Sequence, residues 1–404
     1  MAEEPMKLVA FRKEVRAWLR ANLPRGWGTP EFKIPESMTL ERHQLGMWWV
    51  KKCYDAGYTG FGYPKEYGGV ERPVEERAII REEMARTGTP GGPYSLGLLL
   101  AAPTILRAGQ EWQKKRFIPR ILSGEESWCE GFSEPNAGSD LANVQTTAVK
   151  DGDEWVVNGQ KVWSSNSRYA DFGVLLVKTD LQAPRHRNLS YFLFDCKVKG
   201  FDRRPLRQMS GESEFGEMFF DNMRVPDKNM VGELNRGWYV AMTTLGAERG
   251  GGGAAAAAAT EGGRRTVGAG TLDLVELAKN TKRYGKTAWE DSHFRQQIMQ
   301  IAIESEAMRY SGVRNIARLR ALRQPPGNEV SISKNFSAEM RQRRGELSMD
   351  IIGAYSQMMR GSPLAIDDGD WVYASLRAKG ATIEMGTSEV NRNIIAERIL
   401  GLPR

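Results

Sequence analysis

A chain of 404 residues, 41% hydrophobic and 26% charged, has room for two or three packed units and the composition of a soluble globular protein. Its net charge of +7 is dispersed among acids rather than gathered into the stripe that nucleic-acid binding needs, which suits attraction of a polyanionic small molecule. Three scattered histidines and three scattered cysteines (Cys53, Cys129, Cys196) speak against a metal centre or a Ser-His-Asp triad and for reduced thiols in a cytoplasmic protein. The longest apolar run, 96–106, is too short to span a membrane, and the acid-containing start is not a secretory signal.

Residues 1–125 read as helices. The segment 6–23 sets Leu8, Phe11, Val15, Trp18 and Leu19 on one helical face, and Pro24 ends it. A second amphipathic helix, 40–56, carries Leu45, Trp48, Trp49 and Tyr54. Residues 57–69, GYTGFGYPKEYGG, form a loop that either caps helices or walls a pocket. Helices follow at 73–87, 95–109 and 111–122, the second of them strongly apolar.

At 128–140, WCEGFSEPNAGSD, the helical pattern stops. Phe132-Ser133-Glu134-Pro135 reads as a strand end entering a turn. Asn136-Ala137-Gly138-Ser139-Asp140 supplies small residues, a glycine that tolerates positive φ, and a hydroxyl. Composition is equally compatible with an interdomain turn and with a loop offering N–H groups and a hydroxyl to a flat polar ligand.

Residues 126–232 alternate with the period of strands. Strands are predicted at 143–149 and 154–157, and Asn158-Gly159 predicts a hairpin turn before 160–164. Further strands are expected at 172–178, 189–198 and 216–222, with Pro226-Asp227 at the exit. The segment suits a small antiparallel barrel or a two-sheet sandwich. From Gly237 helices return, at 237–249, 272–285, 293–323, 332–354, 370–380 and 388–400, the last capped by Gly386-Thr387. Between the first two lies GGGGAAAAAAT, 250–260, either a low-complexity connection or a helix wall poor in side chains that leaves room for a bulky ligand.

Three segments in this order carry a resemblance. Phe132-Ser133-Glu134-Pro135 with the following Gly-Ser-Asp turn, Val157-Asn158-Gly159-Gln160-Lys161-Val162-Trp163-Ser164-Ser165-Asn166, and Gly386-Thr387-Ser388-Glu389-Val390-Asn391-Arg392 together resemble the acyl-CoA dehydrogenase family. The resemblance implies an α+β, mostly α fold: an N-terminal helical domain (1–125), a middle antiparallel β-domain (126–232) and a C-terminal four-helix bundle (233–404). It implies FAD as cofactor, an acyl-CoA substrate, α,β-dehydrogenation to the 2-enoyl-CoA, electron-transfer flavoprotein as electron acceptor, and a tetramer. Neither a metal, a nucleic acid nor a membrane is called for.

The resemblance also assigns residues. Phe132, Ser133, Gly138, Ser139, Trp163, Ser165, Thr387 and Glu389 would hold FAD, with Ser133 and Ser165 at the flavin edge and Trp163 along the isoalloxazine. Ser139, Arg249 and Met385 would face the acyl-CoA. Taken without the motif, Trp163 reads as a buried β-domain aromatic. Removing an α-proton from a thioester needs a carboxylate, and donors must stabilise the enolate-like oxygen. Many members place a glutamate directly before the C-terminal Gly-Thr, where this chain has Met385; Glu384, one residue earlier, points elsewhere on the turn. A minority pattern puts the base in a Leu-x-x-Glu-Arg helix. Leu245-Gly246-Ala247-Glu248-Arg249 matches it, so Glu248 is the expected general base rather than half of a surface pair with Arg249. The backbone N–H of Met385 remains able to serve the thioester oxygen.

The half of the family's flavin site that a neighbouring subunit supplies is altered here. Its arginine falls at Thr281, with Lys282 and Arg283 out of register before Tyr284-Gly285, and its Gln and Gly-Gly fall at Asp350 and Gly353-Ala354. That pattern resembles heteromeric bacterial members in which two chains share each flavin, and points to an α2β2 assembly in place of a homotetramer. Several such enzymes take steroid-like acyl groups, which 250–259 would accommodate. A non-catalytic partner subunit, a flavin oxidase or monooxygenase on the same scaffold, and a flavin-free helical scaffold stay open as other readings.

Overall fold

The computed structural model of the protein describes residues 6–29, 31–35, 39–90, 96–247, 271–322 and 327–403. Glu248, Arg249 and the stretch 250–260 lie outside the described residues. The chain divides into two compact units.

In the first unit, helix α1 (Met6–Asn22) buries Phe11, Val15 and Leu19, as its apolar spacing predicts. Each such side chain contributes about 1.5–3 kcal/mol on burial. Their partners include Trp49 and Cys53 of α2 (Leu40–Asp55) and Ile79, Ile80 and Met84 of α3 (Val74–Thr87). The aromatic loop between α2 and α3 is committed to packing. Tyr63 donates to Leu98 O at 3.0 Å, and Tyr67 donates to the Glu111 carboxylate at 2.9 Å. A wide helical turn, Gly97–Ala101, leads into α4 (Ala102–Ala108), and α5 (Glu111–Leu122) follows.

The strands are β1 (Trp128–Gly131), β2 (Thr147–Asp151), β3 (Glu154–Ser165), β4 (Phe172–Lys178), β5 (Leu189–Asp195), β6 (Phe201–Leu206), β7 (Phe215–Pro226) and β8 (Met230–Val231). They form one sheet in the order β6-β7-β3-β2-β4-β5-β8, with β1 beside β4. The expected antiparallel domain is in fact mixed, because β1 runs parallel to β4 and β2 meets β4 in parallel at Thr147 and Lys178. Strand β6, which pairs with β7 over its full length, is absent from the sequence reading: FDRRPL is too charged to read as a strand.

The hairpin expected at Asn158-Gly159 does not form. Residues 154–165 are one strand, and both of its halves pair with β7. Opposite Asn158 the partner has two residues, Asp221 and Asn222, a β-bulge. Asn158 Oδ1 accepts from Asn222 N at 2.8 Å, so the asparagine closes a bulge instead of a turn. Gly159 adopts φ +145° against Thr146, whose Oγ1 would lie 2.6 Å from any Cβ.

After β8 comes α6 (Gly237–Ala247). It docks through a buried hydroxyl cluster: Thr244 Oγ1 lies 2.8 Å from Thr104 Oγ1 and 3.2 Å from the Tyr191 hydroxyl, and Thr104 donates to Leu100 O at 2.7 Å.

The second unit contains α7 (Thr271–Asn280), a two-stranded hairpin of β9 (Lys282–Arg283) and β10 (Lys286–Thr287), then α8 (Ser292–Leu322), α9 (Val330–Ile352), α10 (Asp370–Ala378) and α11 (Ser388–Ile394). The helix expected over 272–285 therefore stops at Asn280. Tyr284 (φ 50°) and Gly285 (φ 82°) are both left-handed and make the hairpin tip, with Tyr284 99% exposed. Leu274, Leu277, Ile298, Ile301, Leu347, Ile351 and Trp371 form this unit's core. At the C-terminus α11 passes into a wide turn, Ile395–Ile399.

Glu83 clamps α1 to α3. Its carboxylate, 1% exposed, accepts from Arg16 Nε (2.8 Å) and Nη2 (2.9 Å), Arg12 Nη1 (3.0 Å) and Arg86 Nε (2.8 Å). Hydrogen bonds from Arg16 above all, then Arg86 and Arg12, outweigh the opposing effect of burial and hold its pKa down to about 2, against an ordinary 4.5. A carboxylate with a depressed folded-state pKa stabilises the fold above the unfolded value and loses that contribution as pH falls through the folded one. Glu83→Gln is expected to lower the thermal unfolding midpoint at pH 7 and to flatten the acid-side decline between pH 4.5 and about 2. Thermal unfolding of both proteins across that range checks it, and parallel curves would refute the assignment.

Candidate functional site

The residues expected at the flavin edge come from two segments that the first unit holds side by side. The segment after β1 folds back at Pro135-Asn136, where Glu134 and Ala137 exchange backbone hydrogen bonds at 3.0 Å each. Ser133 O accepts from Val162 N at 2.9 Å, which ties this turn to β3. Phe132 is buried against Tyr191, Ser133 is half-buried, and Gly138 and Ser139 are exposed. Gly138 does not use the left-handed region its composition suggested. A Cβ there would meet nothing within 4 Å, so its use is open backbone and not a special φ. The loop is steadied at its far end by an ion pair between Asp140 and Arg185.

Beneath the turn lies a buried ion pair. Lys161 is fully buried, and its Nζ donates to Glu134 Oε1 at 2.8 Å and to Phe132 O at 3.0 Å. Glu134 also accepts from Gln145 N (2.5 Å) and Thr146 N (2.8 Å). Burial pushes the Lys161 ammonium down to about 8, with Glu134 opposing. Burial also works against ionised Glu134, but the charge and hydrogen bonds of Lys161 and the two amides leave its pKa lowered.

Trp163 is not the buried aromatic that composition alone suggests. Two residues of β3, Val162 and Trp163, stand opposite Glu217 of β7, a second bulge. In it Trp163 takes φ 62°, strained for a bulky side chain, and its indole is 57% exposed, resting edge-on against Phe215 at 5.9 Å. Without the bulge the alternation of β3 would place this ring on a different face. Ser165 ends β3, half-buried, opposite Phe215. The turn beyond it is held by Arg203 Nη1, which donates to Ser167 O (2.6 Å) and Ala170 O (2.7 Å). Asp171 Oδ2 accepts from both Ser127 N (3.0 Å) and Ser127 Oγ (2.9 Å), joining this turn to the residue before β1.

Glu248 and Arg249, the expected base and its neighbour, lie outside the described residues; the helix α6 that leads to Glu248 is anchored by Thr244. Met385, Thr387 and Glu389 belong to the second unit. Met385 (φ 54°) and Gly386 (φ 83°) are consecutive left-handed residues before the cap Thr387, whose Oγ1 accepts from Val390 N at 3.1 Å. Glu389 is exposed, and hydrogen bonds from its own amide and then from Thr387 keep its pKa low. Glu384 is engaged by Arg377 Nη2 at 2.9 Å. Thr281 is buried, and Arg283 turns onto the Asp350 carbonyl beside Gly353. Lys161, Arg203 and Lys334 were missed in the sequence. A lysine at an inward strand position was the available signal for the first, whereas the others act on residues distant in the chain.

An open, pre-positioned indole beside two serine-bearing segments fits a flat heteroaromatic ligand with polar edge atoms, and FAD satisfies that description.

Three family models match: acyl-CoA dehydrogenase N-terminal domain over residues 7–125, middle domain over 129–223 and C-terminal domain over 235–400. The chain is 37% identical to acyl-CoA dehydrogenase IpdE1 of Mycobacterium tuberculosis, covering 98% of this chain and 97% of that protein. It is 34% identical to acyl-CoA dehydrogenase FadE26 of the same organism, covering 98% and 96%. Among solved structures it is similar to the Tcur3481-Tcur3483 steroid ACAD (29% identity, TM-score 0.80, all of both chains). It is also similar to the ChsE4-ChsE5 complex of Mycobacterium tuberculosis (30% identity, TM-score 0.78, 100% of this chain and 99% of that one).

Removing one partner of the buried pair leaves the other charge stranded. Lys161→Met is expected to cost about 3–5 kcal/mol, and Lys161→Met with Glu134→Leu to regain most of it. Denaturant unfolding of the single and double variants measures the coupling; strictly additive losses would remove the pair as a structural unit.

Proposed function

The chain belongs to the acyl-CoA dehydrogenase family, and from that premise we propose that it performs FAD-dependent α,β-dehydrogenation of an acyl-CoA thioester to the 2-enoyl-CoA, with Glu248 as general base. It is an oxidoreductase acting on acyl-CoA, and members of its family are flavoproteins. The observation that carries the reading is the exposed, strained Trp163 locked beside Ser133 and Ser165.

When bound, FAD supplies the acceptor for the hydride that leaves Cβ. The chain's own residues do the rest. Phe132, Ser133, Gly138, Ser139, Trp163 and Ser165 would hold the cofactor, the serines at its polar edge, and the resemblance assigns Thr387 and Glu389 to FAD as well. Glu248 would take the α-proton, and the resemblance assigns Arg249 to the substrate. The Met385 amide donates to the thioester oxygen as negative charge builds there, a role that needs no particular side chain. Ser139, exposed on an open glycine-flanked loop, meets the CoA portion. Electrons leave to an electron-transfer flavoprotein.

Two further parts of the reading concern assembly and substrate. An α2β2 assembly with a second chain of the same family is supported by the named two-protein complexes among the structural relatives. It is also supported by the loss of the usual phosphate-contacting residues at Thr281, Asp350 and Ala354. Arg283, out of register beside Thr281, is engaged within its own unit. A bulky, steroid-like acyl group is supported by the likeness to a steroid ACAD and by the side-chain-poor sequence 250–259 after Glu248.

Anaerobic titration of the complex purified through a tag on this chain, with short, branched and steroid acyl-CoAs, tests the substrate. Flavin bleaching is expected to be fastest with the steroid thioester, and bleaching confined to short chains would overturn that part. Glu248→Gln is expected to lower kcat by about 10³ with FAD still bound; full activity would assign catalysis to the partner chain. The chain expressed alone is expected to hold little FAD, and a fully flavinylated homotetramer would refute the heteromeric assembly.

A further inference from the structure

Lys334 lies on α9, buried, and no step of the reaction has used it. Its Nζ donates to Ala381 O at 3.0 Å and to Gly386 O at 2.7 Å. These carbonyls bracket the segment that carries Met385. Within that segment Met385 at φ 54° occupies a region that side chains with a Cβ seldom adopt, and Gly386 follows at φ 83°. Such a conformation persists only where its surroundings over-determine it. Asn391 Nδ2 holds Gly386 O (2.8 Å) and Thr387 O (3.0 Å), and Gln342 Nε2 holds Thr382 Oγ1 (2.8 Å). Each of those side chains grips one end of the segment; Lys334 reaches both.

We infer that Lys334 is a positioning residue for the C-terminal motif: its ammonium fixes the left-handed Met385-Gly386 turn and so sets the direction in which the Met385 amide and the Thr387 cap are presented. The charge on the Gly386 carbonyl also polarises the N–H of the same peptide unit, that of Thr387. This deepens the proposed function and rests on it, since it gives the turn value through the thioester oxygen and the cofactor. Chemically, a lysine is suited to the task because three donors on one flexible stem satisfy carbonyls of different orientation.

The test uses the complex purified through a tag on this chain, carrying Lys334→Met, Lys334→Gln or Lys334→Arg. The readouts are kcat, KM, the FAD dissociation constant from flavin fluorescence, and the unfolding midpoint of the flavin-free protein. Lys334→Met and Lys334→Gln are expected to lower kcat by about tenfold or more, with KM changed far less, because a displaced donor weakens the transition state more than binding. FAD affinity falls by about the same factor, and Lys334→Arg, which keeps charge and donors, recovers part of both losses. A drop in unfolding midpoint with kcat and FAD affinity unchanged would overturn the inference in favour of a purely structural lysine, as would failure of both neutral variants to fold. A wild-type complex that turns over no acyl-CoA overturns the proposed function and this inference together, whereas an active wild type with an equally active Lys334→Met overturns this one alone.

Discussion

A buried charge pair sets the arrangement of three segments in the first unit. Glu134 and Lys161 cannot be separated without leaving an uncompensated charge in the sheet interior. Each also bonds to backbone, Lys161 to Phe132 O and Glu134 to the Gln145 and Thr146 amides. One ion pair thereby fixes the positions of three chain segments: the end of β1, the approach to β2 and the middle of β3. The Ser133-Val162 hydrogen bond then follows almost by necessity, and Trp163 sits one residue beyond it. The pair's contribution is better described as specificity of arrangement than as stability, because an apolar pair of similar volume could stabilise the same core.

Two of the described non-glycine residues with positive φ lie where ligand contacts are proposed. Trp163 in the second bulge of β3 and Met385 before Gly386 are both side-chain-bearing residues in left-handed conformations. A buried lysine donates to a backbone oxygen in the neighbourhood of each: Lys161 to Phe132 O, in the segment tied to Val162, and Lys334 to Gly386 O, next to Met385. Each unit, taken by itself, uses the same physical device. A lysine ammonium is buried against backbone carbonyls and ties together segments distant in the chain.

The helix that leads to the proposed base is anchored differently. Thr244 closes a buried hydroxyl cluster with Thr104 and Tyr191, and burial drives the Tyr191 phenol pKa well above its ordinary value, so it stays a neutral donor or acceptor.

The sequence by itself determined the family, the order of helical and β-rich regions, and most helix spans, because apolar spacing and turn residues are local signals. Three motifs that keep their order carry the family resemblance. Local patterns failed where pairing partners decided the outcome. Asn158-Gly159 has the composition of a hairpin turn, yet β7 was available to pair with both flanks, so the same residues close a bulge. Helix α7 ends early because Tyr284-Gly285 turns a hairpin that no helical period reveals. Tertiary structure alone decided that Trp163 faces outward, that Glu134 is occupied by Lys161, and that Lys334 holds a turn 52 residues away. Each of these is a matter of register or of long-range hydrogen bonding, and a chain read in order carries no record of which distant carbonyl a buried ammonium will find.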